Sequence, residues 1–218
     1  VGWTGFICDP GLDGSFKMKE GRERARKFIL SVVNLGLPTG IEWLDPVTPQ
    51  YFADVISWGA IGARTVESQT HRQLASGLSM PIGFKNGTGG TGYSIQIAVD
   101  ALVAARAPHA FVSVDKRGRV ADVVTTGNPE THVVLRGGVG GRTNYGPEHV
   151  ADAVARLEKA GLPPYLMVDC SHGNSNKDHR NQPIVFSSVL DQRLKGNKHI
   201  VGMMLESHLF EGSQSPNG

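Results

Sequence analysis

Six short apolar segments alternating with helix-period patterns, a charged residue at the carboxyl end of almost every one, and a single hairpin-like interruption predict an α/β fold. The expected architecture is a parallel (β/α)₈ TIM barrel, of which the chain covers about six of the eight strands, with an inserted β-hairpin. The alternation alone is equally compatible with an open doubly wound sheet. The charged ends favour the barrel, because closure brings the carboxyl ends of different strands to one mouth. A length of 218 residues with 39% hydrophobic content suits one substantial core, so residues 1–218 read as a single partial barrel domain.

From Glu20 to Asn34 the apolar residues Ala25, Phe28, Ile29, Val32 and Val33 recur at helical spacing, and Gly36-Leu37-Pro38 stops the run. Strands are expected at Ile41 to Leu44, Ala60 to Arg64, Pro81 to Lys85, Thr131 to Arg136, Tyr165 to Asp169 and Ile200 to Glu206. Helical patterns at Glu67 to Ser76, Ser94 to Arg106, Glu148 to Ala160 and Phe186 to Leu194 follow most of them, as parallel βα units require. One segment departs from the rule: His109 to Val114 and Val120 to Thr125 flank Lys116-Arg117-Gly118 and read as a hairpin over about 109–126.

Bulk properties exclude several classes. The 22 basic residues nearly balance the 20 acidic ones, so the chain carries no nucleic-acid footprint and any basic function is local. Cys8 and Cys170 form no metal or disulfide framework, which fits a reducing, cytoplasmic setting. No apolar run reaches membrane-spanning length, and the N-terminus carries no signal-peptide pattern. The chain opens on Val1-Gly2-Trp3 without Met and closes on Ser215-Pro216-Asn217-Gly218, which reads as a piece of a longer chain.

The strand ends carry the chemistry. In order they present Glu42 and Asp45, Arg64, Lys85, Arg136, Asp169-Cys170-Ser171-His172 and Glu206. Any one of these could be a hydrated surface charge. Two arginines and a lysine at one mouth, however, repel one another unless a multiply charged anion neutralises them, and the guanidinium fork suits carboxylate and phosphate. A phosphorylated acid is the expected ligand. Gly62-Ala63 before Arg64 and Gly137-Gly138 after Arg136 are expected to let backbone N–H groups approach the phosphate. His172 and Glu206, at the ends of consecutive strands, form half of a candidate divalent-metal site. A competing motif, Gly87-Thr88-Gly89-Gly90-Thr91-Gly92 with Asp115 beyond, fits the dinucleotide fingerprint and would make the protein a nicotinamide-dependent oxidoreductase. A third reading is a non-catalytic fragment that keeps only anion binding.

The motifs then resemble one family: the type I 3-deoxy-D-arabino-heptulosonate 7-phosphate (DAHP) synthases. The resemblance is carried by Pro49-Gln50-Tyr51, the run from Ser57 to Thr65, Glu67-Ser68-Gln69, the run from Gly83 to Thr88, Leu135-Arg136-Gly137-Gly138, the run from Asp169 to Ser175, and Glu206-Ser207-His208. It implies a (β/α)₈ barrel that condenses phosphoenolpyruvate with erythrose 4-phosphate at a divalent metal (Mn, Fe, Co or Zn), the first step of the shikimate pathway. By the same resemblance Ala63, Arg64, Lys85 and Arg136 bind phosphoenolpyruvate, Lys85 and Glu42 are the catalytic candidates, and His172 and Glu206 are metal ligands. Pro49, Gln50, Ser79, Phe111 and Ser113 are candidate contacts for an aromatic amino-acid effector, with turn and hairpin packing as the competing role. A homodimer or homotetramer is expected of the full-length protein.

The sequence also departs from the family pattern. A cysteine ligand on the first strand, a Lys-Pro-Arg-Thr run on the second and a final aspartate ligand have no counterpart in these residues, so the 218-residue chain alone is expected to be inactive. Gly87-Thr88-Gly89-Gly90 stands where the family has Gly-Thr-Asp-Gly.

Overall fold

A computed structural model describes residues 7–88 and 95–212. Six strands form one all-parallel sheet: β1 (Gly40–Glu42), β2 (Trp58–Ile61), β3 (Ile82–Lys85), β6 (Thr131–Leu135), β7 (Leu166–Asp169) and β8 (Ile200–Met204), hydrogen-bonded in that order. Between β3 and β6 the chain makes a separate antiparallel pair, β4 (Ala110–Val114) with β5 (Val120–Val124). The sheet curls into part of a TIM barrel, and its carboxyl ends share one mouth.

The helices are α1 (Met18–Asn34), α2 (Pro49–Phe52), α3 (Gln69–Ser76), α4 (Ile95–Arg106), α5 (Pro147–Lys159) and α6 (Gln182–Leu194). Helix α6 starts four residues before the expected Phe186, because Pro183 occupies its first turn, where a missing N–H breaks no helical bond. The Pro49-Gln50 turn is likewise a short helix with proline in its first turn. Ahead of it Asp45 accepts the backbone N–H groups of Val47 and Thr48, each at 2.8 Å. Asp45 is therefore a turn-forming carboxylate rather than a site residue.

Strands β3 and β6 are buried along their whole length, as parallel strands covered on both faces must be. On β6 the side chains of Val133 and Leu135 join the apolar layer that also contains Ala98, Val99, Leu102, Ala153 and Leu157 from α4 and α5. The opposite face of β6 carries His132 and Val134 and leads to Arg136 just past the strand, by the two-residue period of a strand. His132 accepts a hydrogen bond at Nε2 from Trp58 Nε1 at 3.1 Å, reaching over β3 from β6 to β2. Gly83, paired in register with His132, makes this possible, since a Cβ there would lie 2.7 Å from the Trp58 ring and 3.0 Å from His132 Nε2.

Among the described residues, no helix is long and apolar enough to cross a membrane. Residues 89–92 of the dinucleotide-like motif lie outside the described residues. Asp115, its acidic partner, sits in the β4–β5 turn, where it accepts the N–H groups of Arg117 and Arg119 and pairs with the Arg119 guanidinium at 2.7 Å. It closes a hairpin and is not placed as a ribose reader.

Candidate active site

Parallel strands with one curl direction aim their carboxyl ends at a common axis, so the cavity there draws its lining from five strands and their following loops. Its walls include Glu42, Ala63, Arg64, Lys85, Arg136 and His172, around a space of about 170 Å³. All of the proposed anion ligands are therefore in one place. Leu44, Gly62, Thr65 and Thr88 also line it. The two threonines could supply hydroxyl hydrogen bonds, which neither charge nor periodicity flags in a sequence.

Gly62 lies in the loop after β2 and is fully enclosed; any Cβ at this position would collide with Glu42 Oε1. Its part is to let the Glu42 carboxylate cross from β1 into the cavity. The nearby Ala63 lines the cavity, and Arg64 is exposed at its rim, in a turn closed by Thr65 N–H donating to Gly62 O. Lys85 and Arg136, by contrast, are only 8% and 7% exposed, and such burial requires a counter-charge. Burial lowers the Arg136 pKa from its usual value; Asp169 and Glu206 oppose this and Arg64 adds to it.

The counter-charge is Asp169, at the end of β7 and 1% exposed. Its Oδ2 lies 3.2 Å from Lys85 Nζ and 2.8 Å from His172 Nδ1. The imidazole contact falls off the line of a well-aligned N–H bond, so it is a short electrostatic contact. Burial alone would raise the Asp169 pKa, but His172, Lys85 and the Ser171 N–H outweigh burial and hold it below the usual carboxylate value. The adjacent Cys170 is buried, and burial, with Asp169 adding to it, pushes its thiol up to about 11. That makes it an inert packing residue rather than a nucleophile or metal ligand.

His172 has φ of 50°, a left-handed conformation uncommon outside glycine, asparagine and aspartate. The turn is held by Lys177 N–H donating to His172 O at 2.7 Å and by Gly173 N–H donating to Arg136 O at 3.0 Å. Strain of this kind is sustained only where the surroundings over-determine it. The result carries His172 Nε2 to 3.4 Å from Glu206 Oε1, just past β8, so the expected half-site residues are neighbours. Among the described residues, no group of three or more His, Cys, Asp and Glu side chains could hold a metal ion. The donor set present, one imidazole nitrogen and one carboxylate, fits part of a first-row divalent site and does not complete one.

The Gly137-Gly138 N–H groups do not face a phosphate, contrary to expectation. Gly137 N–H donates to Asn144 Oδ1 at 2.7 Å and Gly138 N–H to Arg142 O at 2.7 Å. These glycines instead let two backbones touch: Gly137 has φ of 73°, and a Cβ there would lie 2.5 Å from Asn174 N. Three buried asparagines lace the strand ends beneath the cavity. Asn86 Oδ1 accepts from Arg136 N at 2.8 Å and from Asn144 Nδ2 at 3.1 Å, and Asn174 Nδ2 donates to Leu135 O at 3.1 Å and Asp169 O at 2.8 Å. Asn144 N–H closes the set by donating to Asn174 Oδ1 at 2.8 Å. The frame joins β3, β6 and β7 directly behind Lys85, Arg136 and Asp169.

Of the effector candidates, Pro49 is buried and Gln50 Nε2 donates to Val114 O at 3.5 Å, which brings α2 against the hairpin. Phe111 and Ser113 lie on the same, half-buried face of β4, paired with Val123 and Ala121. Ser79 is exposed beyond α3, and no described contact ties it to them.

Comparison with known proteins follows the same lines. The family model described as the DAHP synthetase I family matches residues 1–218. The chain is 56% identical to the Tyr-sensitive phospho-2-dehydro-3-deoxyheptonate aldolase of Escherichia coli (strain K12) over 99% of its own length and 59% of that protein's. It is 54% identical to the Phe-sensitive protein of that name from the same organism, covering 99% of this chain and 60% of that one. A solved structure of phospho-2-dehydro-3-deoxyheptonate aldolase from Francisella tularensis SCHU S4 superposes with a TM-score of 0.93 at 50% identity, covering 100% of this chain and 62% of that chain. The chain thus spans about 59% of the length of the first of these relatives.

Proposed function

The chain belongs to the DAHP synthetase I family, and from that premise we propose that the protein carrying it condenses phosphoenolpyruvate with erythrose 4-phosphate and water, giving DAHP and phosphate. The observation that supports this reading most is the convergence of Arg64, Lys85 and Arg136 on one cavity beside Glu42 and the His172–Glu206 pair.

Three cations around a space of about 170 Å³ match a small acid bearing both carboxylate and phosphate. Arg136 and Lys85, buried and braced by the asparagine frame and Asp169, hold that anion in a fixed pose, while the exposed Arg64 closes over it from the rim. Fixing the enol carbon toward the mouth presents it to the aldehyde, so most of the rate gain comes from positioning and charge compensation. Glu42 faces the same space and can orient the water that adds to the acid's second carbon before phosphate leaves. His172 and Glu206 would hold a divalent cation as two of its ligands; when bound, it supplies Lewis-acid polarisation of the aldehyde oxygen.

An aromatic amino acid is the proposed effector, acting where Pro49 and Gln50 meet the hairpin residues Phe111 and Ser113; the relatives named Tyr-sensitive and Phe-sensitive support this. A cytoplasmic homodimer or homotetramer is proposed for the full-length protein. The test is phosphate release by that protein with Mn²⁺. Release should require erythrose 4-phosphate, and Arg136→Ala should reduce it at least 10³-fold, roughly the loss of about 4 kcal/mol of charge stabilisation. Release that is independent of the aldehyde would refute the proposal.

A further inference from the structure

Asp169 is more buried than any other charged group at the mouth, and the reaction gives it no part. One of its oxygens, Oδ1, accepts the Ser171 N–H at 2.9 Å. The other, Oδ2, faces Lys85 Nζ at 3.2 Å and His172 Nδ1 at 2.8 Å. A neutral imidazole nitrogen has either a proton or a lone pair at Nδ1. Both ring nitrogens face a carboxylate oxygen, but the buried Asp169 Oδ2 at 2.8 Å repels a lone pair more strongly than the exposed Glu206 Oε1 at 3.4 Å, so a neutral ring carries its proton at Nδ1. The ring's lone pair then sits at Nε2, which faces Glu206 Oε1 at 3.4 Å.

The left-handed φ of 50° at His172 serves the same end, because it folds the ring back onto a carboxylate only three residues earlier. The carboxylate itself is fixed from three sides, by Lys85, by the Ser171 N–H and, through its backbone carbonyl, by Asn174 Nδ2 at 2.8 Å.

We propose that Asp169 is a positioning residue that selects the Nδ1–H tautomer of His172 and so directs the Nε2 lone pair into the divalent-cation site, while tying that site to Lys85 of the anion pocket. The inference rests on the reading of His172 as a cation ligand. Carboxylates in this position beside a ligating histidine set both ring orientation and basicity, and their loss weakens metal binding about 10- to 100-fold.

In Asp169→Asn, an amide that keeps its oxygen on the Ser171 N–H turns its NH₂ toward Lys85 and His172. Nδ1 must then accept a hydrogen bond from that NH₂, so the ring proton moves to Nε2 and the lone pair leaves the cation site.

Two measurements on full-length, metal-free protein test this. The first reads the tautomer directly by two-bond ¹H–¹⁵N NMR of the imidazole, with His172→Gln to assign the signal. Wild type should show Nδ1–H and Asp169→Asn should show Nε2–H. An Nε2–H signal in wild type overturns the proposal whether or not the variant folds. The second is Mn²⁺ affinity from the free-ion EPR signal, expected to fall about 10- to 100-fold in Asp169→Asn. If wild type binds Mn²⁺, His172→Gln abolishes binding and a folded Asp169→Asn binds as wild type does, Asp169 has no positioning role although the cation site stands. If His172→Gln leaves Mn²⁺ binding unchanged, the ligand assignment itself falls, and this inference with it.

Discussion

Replacing His132 by glutamine tests how the barrel interior is built. Burial lowers the His132 pKa from 6.5 to about 4, so the folded protein holds a neutral imidazole that accepts the Trp58 N–H. The unfolded chain protonates near its ordinary pKa of about 6.5. As pH falls through that value the unfolded state takes up a proton that the folded state refuses, and stability drops. Below about pH 4 the folded state also protonates, and the loss stops. A displacement of this size corresponds to about 3 kcal/mol in all, of which about 2 kcal/mol accrues between pH 7 and pH 4.5. Glutamine can accept the Trp58 N–H from nearly the same place but does not titrate. Urea unfolding of wild type and His132→Gln at the two pH values isolates the term, because the carboxylates common to both proteins cancel in the difference. Wild type should lose about 2 kcal/mol more than the variant. Equal losses would mean that His132 is not held neutral, and the picture of a dry interior layer spanning β2, β3 and β6 would be wrong.

Gly62→Ala should cut activity sharply while lowering stability little, since the new Cβ displaces the Glu42 carboxylate, the free end of a side chain, rather than backbone; comparing kcat with Tm separates the two effects. Asn144→Ala should cost about 2–4 kcal/mol in urea unfolding, because it orphans the buried Gly137 N–H and removes a bond to Asn86. Arg26→Ala should cost no more than about 1 kcal/mol despite its two-pronged contact with Asp54 at 2.8 and 2.6 Å, since both side chains are solvent-exposed. Iodoacetamide at pH 8 should alkylate the half-buried Cys8 and spare the buried Cys170 until the protein unfolds, as peptide mapping would show.

Much of this could be read from residue order. Strand and helix periods are local, so β3, β6, β7 and the hairpin appear within a residue or two of where apolar alternation and Lys116-Arg117-Gly118 place them. The charged residues at or just past the strand ends were visible for the same reason, and the family motifs add that they belong to one pocket. Where the local signal was weak, boundaries moved: α6 begins at Gln182 because a proline that looks like a breaker is a good first-turn residue.

What the order of residues could not express is which groups meet across strands. Gly137-Gly138 looked like a phosphate cradle, yet their N–H groups are taken by Asn144 and Arg142. Gly62 is there for Glu42, Gly83 for the Trp58–His132 pair, and Asp169, legible in the sequence only as a charged strand end, is where Lys85 and His172 come together. The sequence by itself determined the alternation of elements and the chemical types at the strand ends, because both depend on neighbours within a few residues. Only the tertiary structure decided the pairings, because contacts between β1 and β2, or between β3, β6 and β7, are set by strand register and sheet curl, which sum interactions over the whole chain.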